Sequence, residues 1–241
     1  PVNIKKILKS NENLDLKVED RFPGLDGFYG TPNSSESYLL LSKFDGDLGE
    51  GIVELIDLRN FKVLHTWNPD IDEFNSLVEK KGEFKYLNRD NNNSRQRLHH
   101  PKLMKDGSLL FGWEAPLRKI DSCSKMILQN TDYKFHHSIE KDIEGNIWVP
   151  SRIYPQSLPV EKVGRDIIVE GGFHDDAITK LSPDGKVLFE RSVSQIFIDN
   201  DLEYLLFALG SREIDPIHLN DIQPVDLDGE YWKKGDLFLS L

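Results

Sequence analysis

The chain of 241 residues is 38% hydrophobic and 29% charged, and it contains 13 Phe, 7 Tyr and 4 Trp. This composition excludes an intrinsically disordered protein and predicts a globular one with a sizeable core in one or two domains. The net charge of −11 comes without a dense cluster of lysine and arginine, so we expect no nucleic-acid partner and attribute the acidity to solubility.

Simple counts exclude several other classes of protein. No apolar run approaches the length of a membrane-spanning helix, so we expect no membrane span. Cys123 is the only cysteine, which excludes an intrachain disulfide and a cysteine-based zinc site. The chain starts at Pro1 without a methionine and ends at Leu241 within an apolar run, which predicts a fragment of a longer protein.

The first half of the chain is predicted to form strands and one helix. Residues 1–37 are interpreted as a polar lead-in, followed by one domain over residues 38–241. Apolar residues recur at helical spacing over 70–80. The other predicted elements are strands at 38–41, 52–57 and 62–67, with a tight turn at Arg59 and Asn60, and a polar loop at 88–96.

The stretch 135–150, FHHSIEKDIEGNIWVP, is predicted to form a strand, a tight turn at 144–146 and a second strand. It contains two adjacent histidines, and the rest of the chain repeats its layout. The other predicted elements are a hairpin beginning at His99, strands near 117–120 and 125–128, a long connection at 152–172, strands at 177–181 and 186–191 around the turn 182–185, a helical piece at 201–209 before Gly210, and a hairpin beginning at His218.

A histidine opens each of three β-hairpins, at His99, His136 and His218. A second hairpin follows in each unit, and four strands with a period of about 40 residues are typical of a propeller blade. We therefore predict an all-β fold, a β-propeller of four-stranded blades. About four blades are covered: one ends near residue 67, two start at His99 and His136, and another begins at His218. A β-sandwich would not predict histidines at the same place in each unit.

The first strand of each blade of a propeller runs beside the central axis, where side chains of several blades converge. We expect a ring formed by His99 or His100, His136 or His137, and His218 with Asn220. Strand alternation allows only one of two adjacent histidines to face the channel, and the sequence leaves open which one.

Such a ring supports three chemistries. A neutral imidazole can be a nucleophile or a general base. An imidazolium, together with an arginine, can stabilise an anion. Several neutral imidazoles can bind a metal, but no carboxylate stands at ligand spacing beside the pairs, so we expect no metal. The simpler alternative is that these are strand histidines hydrogen-bonded to the backbone.

Four segments resemble the bacterial arylsulfate sulfotransferases. Residues 54–67 are similar to the "LID…G.VVHTW" first blade of that family, and residues 135–149 are similar to its "HH…PNGNLLVL" hairpin. Residues 178–190 resemble its "I.EVDPDGKVVWEW" strand pair, and residues 215–240 resemble "DWFHINSI…ILISSR". The resemblance covers residues from about 38 to 241, and the order of all four segments makes it fairly specific.

The resemblance implies a six-bladed propeller that moves a sulfuryl group from an aryl sulfate to a phenol through a covalent histidine, without a nucleotide donor or other cofactor. It implies catalytic roles for His218 and for one of His136 and His137, while His99, His100, Asn220 and Arg152 are the candidate substrate-binding residues. No position here matches the family's covalent histidine, so the chain alone is expected to be inactive.

The family also implies export to the periplasm, with small-molecule aryl sulfate and phenol as partners, and a homo-oligomer is compatible with the sequence. This chain departs from the family where Asp215, Pro216 and Ile217 replace the aromatic residue before the histidine. Two other functions stay open on the residues alone. One is a non-catalytic propeller that serves as a binding scaffold, and the other is a propeller hydrolase or lyase.

Overall fold

The computed structural model describes residues 27–158, 173–207 and 214–241. Most regular structure in these ranges is β, which confirms the prediction of an all-β fold. The strands are β1 (Tyr38–Asp45), β2 (Glu50–Asp57), β3 (Lys62–Trp67), β4 (Lys102–Leu103), β5 (Leu109–Phe111), β6 (Ala115–Ile120), β7 (Met126–Phe135), β8 (Glu140–Lys141), β9 (Ile147–Arg152), β10 (Asp176–Leu181), β11 (Val187–Ser192), β12 (Asp221–Pro224) and β13 (Leu237–Ser240). The helical segments are α1 (Ile71–Ser76), α2 (Leu87–Asp90), α3 (Val193–Asp199) and two 3₁₀ turns, Gly82–Phe84 and Glu203–Phe207.

The strands form consecutive antiparallel units in chain order. β4 to β7 make one four-stranded meander, and β8 to β11 make a second. Before them, β1, β2 and β3 form a three-stranded sheet in the described part of the chain, where four strands were expected. After them, β12 pairs with β13. The two meanders are joined at one corner, where Phe135 of β7 pairs with Ser151 of β9.

Three hairpins share one turn, which explains why their sequences look alike. In each, the N–H of the first residue bonds to the C=O of the fifth, and the glycine N–H at the fourth position bonds back to the first C=O, at 2.8–3.1 Å. The glycines have φ between 78° and 87°, a region that other L-residues rarely adopt. The turns are 104–108 with Gly107, 142–146 with Gly145 and 182–186 with Gly185.

Apolar side chains fill the spaces between consecutive units. Leu109 and Phe111 of β5 point to one side, toward Val53 and Trp67 of the first sheet, and Leu110 points to the other. This follows from the two-residue period of a strand, and it gives each sheet two buried faces. The next two core clusters continue the series. They are Leu110, Leu117, Phe135, Ile139, Ile147, Val149 and Leu181 between the two meanders, and Ile178, Val193, Leu206, Ile217, Leu219 and Ile222 between the second meander and the last hairpin.

Several predicted elements need correction. The histidines were expected inside first strands, but they lie in the irregular segments just before β4, β8 and β12. The helix predicted at 70–80 ends at Ser76, and part of the predicted loop 88–96 belongs to α2. The strand predicted at 125–128 is β7, which continues to Phe135. Gly210, residues 1–26 of the lead-in and residues 159–172 of the long connection lie outside the described residues.

Candidate functional site

Three histidines from three successive units share an unusual backbone conformation. His100, His137 and His218 have φ of 47°, 56° and 52°. A residue other than glycine in this left-handed region costs of order 1–3 kcal/mol, and such residues cluster at functional sites. Each of the three lies in the segment that leads into the first strand of a hairpin, so the repeat in sequence is also a repeat in local geometry.

The imidazoles of these residues meet one another. The ring of His137 lies between the other two, with centroids 6.3 Å from His100 and 5.0 Å from His218. His137 is half-buried, whereas His100 and His218 are exposed. The structure therefore gathers imidazoles from residues more than a hundred positions apart, in one cluster that borders solvent.

Trp113, at the end of β5, forms one wall of the cluster. Its ring stacks on His99 with centroids 4.3 Å apart, and it meets the ring of His137 edge to face at 5.0 Å. His99 is packed against an aromatic surface, and His100 is the member of that pair that reaches His137. Burial, together with the charges of Arg97 and His100, lowers the pKa of His99.

The other adjacent pair divides in the same way. His136 is 1% exposed, and its Nε2 lies 3.3 Å from Oδ1 of Asp176. Its backbone N–H donates to the C=O of Pro150, which ties it to β9. His137 faces the other imidazoles, so the question that the sequence left open has a geometric answer. His136 supports the cluster from inside the protein.

Asp176 is a buried carboxylate that connects the second meander to the last hairpin. Its Oδ2 accepts a hydrogen bond of 2.7 Å from the N–H of Leu219, and its Oδ1 lies 3.4 Å from Nε of Arg152. Burial raises the pKa of Asp176, but the neighbouring His136, Arg152 and Leu219 N–H outweigh burial and lower it. The group is therefore an ionised anchor behind the histidines.

Arg152, a predicted anion contact, is held in ion pairs. Its Nη1 bonds to Oε2 of Glu114, and its Nε faces Asp176. Two carboxylates neutralise this guanidinium, which is 14% exposed. Arg152 thus joins the end of β9 to the residue that follows Trp113. Its charge reaches a bound anion only through this network.

His218 has a carboxylate partner of its own. Its Nδ1 lies 2.5 Å from Oδ2 of Asp215, three residues earlier in the chain. Asp215 is 8% exposed, and Nδ1 of His174 lies 3.9 Å from the same oxygen. Burial raises the pKa of Asp215, but the two imidazoles outweigh it and hold the pKa well below its usual range.

His137 is neutral near physiological pH. Burial, followed by the charges of His136, His218 and His100, lowers the pKa of His137 to about 4. A neutral imidazole has one nitrogen with a free lone pair, which is what a nucleophile or a base requires. Asn220 lies beside this group, where its Nδ2 donates to the C=O of His218 at 2.9 Å and its own C=O accepts from Ser138.

Four residues of the site escaped the sequence analysis: Trp113, Glu114, Asp176 and Asp215. The spacing of Asp215, three residues before His218, was a usable signal. Asp176 gave none, because its partners are remote in sequence. Within the described ranges, no three His, Cys, Asp or Glu side chains are arranged to hold a metal ion.

A comparison with known families decides the assignment. The family model described as Arylsulfotransferase (ASST) matches residues 100–241, more than half of the chain. The chain belongs to the arylsulfotransferase family. The match begins at His100 and includes His137 and His218, so all three left-handed histidines fall within this arylsulfotransferase region. No curated protein matches the chain. In the part that the structure describes, no helix is long and apolar enough to cross a membrane.

Proposed function

We propose that this arylsulfotransferase moves a sulfuryl group from an aryl sulfate to a phenol through a covalent histidine intermediate. The observation that carries the proposal is the meeting of His100, His137 and His218 at one solvent-bordering cluster, each in the same strained conformation. Strained, non-glycine residues that converge from separate units are expected where function selects them.

The cluster suits an anionic group with charge on several oxygens. Imidazole N–H groups that are fixed before the substrate arrives stabilise such a charge without further reorganisation. Exposed His100 and His218 lie on either side of His137, and Trp113 adds an apolar wall beside them. An aryl sulfate has both features, an oxyanion and an aromatic ring.

A histidine carrier divides the transfer into two displacements. In the first, the bond from sulfur to the aryl oxygen breaks as a bond from sulfur to the carrier nitrogen forms, and the leaving phenolate takes a proton. In the second, the phenol oxygen bonds to sulfur, the sulfur–nitrogen bond breaks, and the phenol proton passes to a base of the cluster. By resemblance, the carrier follows one blade after His218 and corresponds to no residue here.

The remaining candidates have supporting roles in this proposal. His136 and Arg152 hold the cluster through Asp176, and Asn220 fixes the backbone at His218. His99 completes the wall formed by Trp113. The two meanders, packed through apolar faces, support assembly into a propeller of six blades, and the family supports export to the periplasm.

The proposal is tested with the purified protein, 4-nitrophenyl sulfate and phenol. We expect release of nitrophenol that depends on phenol, and a loss of at least about 100-fold in kcat for His218→Ala. The matched control is His65→Ala, because His65 bonds to the C=O of Ser122 and packs on Trp67, remote from the cluster in the fold. Nitrophenol release that ignores phenol would contradict transfer, and no release at all would favour a binding scaffold.

A further inference from the structure

One contact of the cluster has a chemical meaning beyond holding the fold. Oδ2 of Asp215 lies 2.5 Å from Nδ1 of His218, and the carboxylate is buried while 49% of the imidazole side chain is exposed. An ionised carboxylate only accepts hydrogen bonds, so Nδ1 must carry the proton. In a neutral ring the other nitrogen, Nε2, then has the free lone pair.

The other histidines of the site lack this combination. His136 faces Asp176 in the same manner, but it is 1% exposed and cannot touch a substrate. His137 reaches the cluster, but among the described residues no carboxylate lies within hydrogen-bond distance of its ring. His218 alone of the three joins a buried carboxylate on one nitrogen to an exposed face on the other.

We propose that Asp215 is the positioning residue of His218, fixing the proton on Nδ1 so that Nε2 exchanges a proton with the phenol oxygen during sulfuryl transfer. The inference rests on the proposed function for its catalytic part. When the acceptor phenol attacks sulfur, its proton passes to Nε2, and the carboxylate of Asp215 stabilises the imidazolium. In the reverse sense, the same Nε2–H returns the proton to the departing phenolate, so the group is neutral again after each cycle.

His174 is the other titratable group that faces Asp215. Its Nδ1 is 3.9 Å from Oδ2, too far for a hydrogen bond, so the short contact belongs to His218. The second carboxylate oxygen, Oδ1, is buried without a hydrogen-bond partner among the described residues. Asp215 therefore makes its one strong hydrogen bond to His218, as a residue devoted to that ring would.

The first test is a measurement on the unmodified protein. Long-range ¹H–¹⁵N correlation NMR distinguishes a protonated ring nitrogen from one with a lone pair, and His218→Gln identifies the signals. At a pH alkaline enough for the ring to be neutral, we expect protonated Nδ1 and bare Nε2 in His218. Protonation of Nε2, or an average of the two tautomers, would overturn the inference. This result is independent of whether the protein transfers sulfuryl groups.

The second test compares variants in the phenol-dependent assay. Asp215→Ala removes the acceptor and should lower kcat by about 10²-fold or more with little change in KM. Asp215→Asn keeps a carbonyl acceptor and should recover part of that loss. Asp221→Asn is the control, because Asp221 bonds to Gln223 on the same segment. A change of KM alone would overturn the role of Asp215, whereas a wild-type protein without any transfer would contradict the proposed function and leave the NMR result to decide the tautomer.

Discussion

The backbone of His137 places its side chain at the centre of the imidazole cluster, in a conformation that glycine would adopt at no cost. We expect His137→Gly to be more stable toward urea than His137→Ala by about 1 kcal/mol. Both variants lose the same imidazole, so the difference reports the strain at φ of 56°. Unfolding followed by circular dichroism measures it, and both variants should lose sulfuryl transfer.

Glu73 provides the matched control for this comparison. It is exposed in α1, where the backbone is helical, so the order should reverse and Gly should be less stable than Ala by about 1 kcal/mol. Equal stability of the two His137 variants, with the expected difference at Glu73, would show that the left-handed conformation stores no energy. The cluster would then be formed without strain.

The shared hairpin turn also connects one unit to its neighbour. A Cβ on Gly107 would meet no atom within 4 Å, but a Cβ on Gly185 would lie 2.5 Å from Cδ1 of Leu128 on β7. Both glycines have positive φ, so each alanine variant has the same backbone cost of about 1 kcal/mol. We expect Gly185→Ala to cost a further 1 kcal/mol or more, because it also overpacks the contact between meanders.

The excess at Gly185 can be separated from the backbone term by a second substitution. In the Leu128→Ala background the clashing methyl groups are gone, so Gly185→Ala should cost no more than Gly107→Ala does in the native protein. Thermal or urea unfolding of the four proteins gives the coupling energy. A coupling near zero would mean that the turn of the second meander does not press on β7.

Hairpins with a glycine turn were the elements that the sequence predicted best, because glycine at the fourth position has a specific backbone reason. β7 was predicted too short because Asn130 interrupts its apolar pattern. In the structure its Nδ2 donates to the C=O of Gly185, a partner supplied by the next meander. α3 was missed because Val193, Ile196 and Phe197 look like strand residues, although Ser192 caps the helix by accepting from Gln195 N–H.

The site shows the same division. The recurrence of histidines predicted that imidazoles would be presented by several units, and the structure brings them together. The left-handed conformation was not predictable, since histidine has no intrinsic preference for it and the tertiary structure must impose it. The carboxylates Asp176 and Glu114 were not predictable either, because their partners come from other units.

The assembled molecule depends on Asp176, which bonds to groups from different parts of the chain. Its two oxygens face donors on both sides, the N–H of Leu219 and the guanidinium of Arg152. In Asp176→Asn, either orientation of the amide turns an NH₂ group against a donor. We expect this variant to lose about 3 kcal/mol or more of stability and to loosen the last hairpin.

Asp199→Asn is the control, because Asp199 forms an exposed ion pair with Arg191 at 2.8 Å and should contribute less than about 1 kcal/mol. Hydrogen exchange adds a local measurement, since the N–H of Leu219 should lose protection in Asp176→Asn. Similar stability losses in the two variants would contradict the view that Asp176 anchors the last hairpin.

Each reactive heterocycle belongs to the connector that leads into a hairpin, and not to the strands that build the sheet. A tandem copy of one such segment would therefore carry its own nitrogen base to the same gathering point, without any new contact having to arise. For this kind of chain, lengthening by duplication and enrichment of the reactive centre would be a single event.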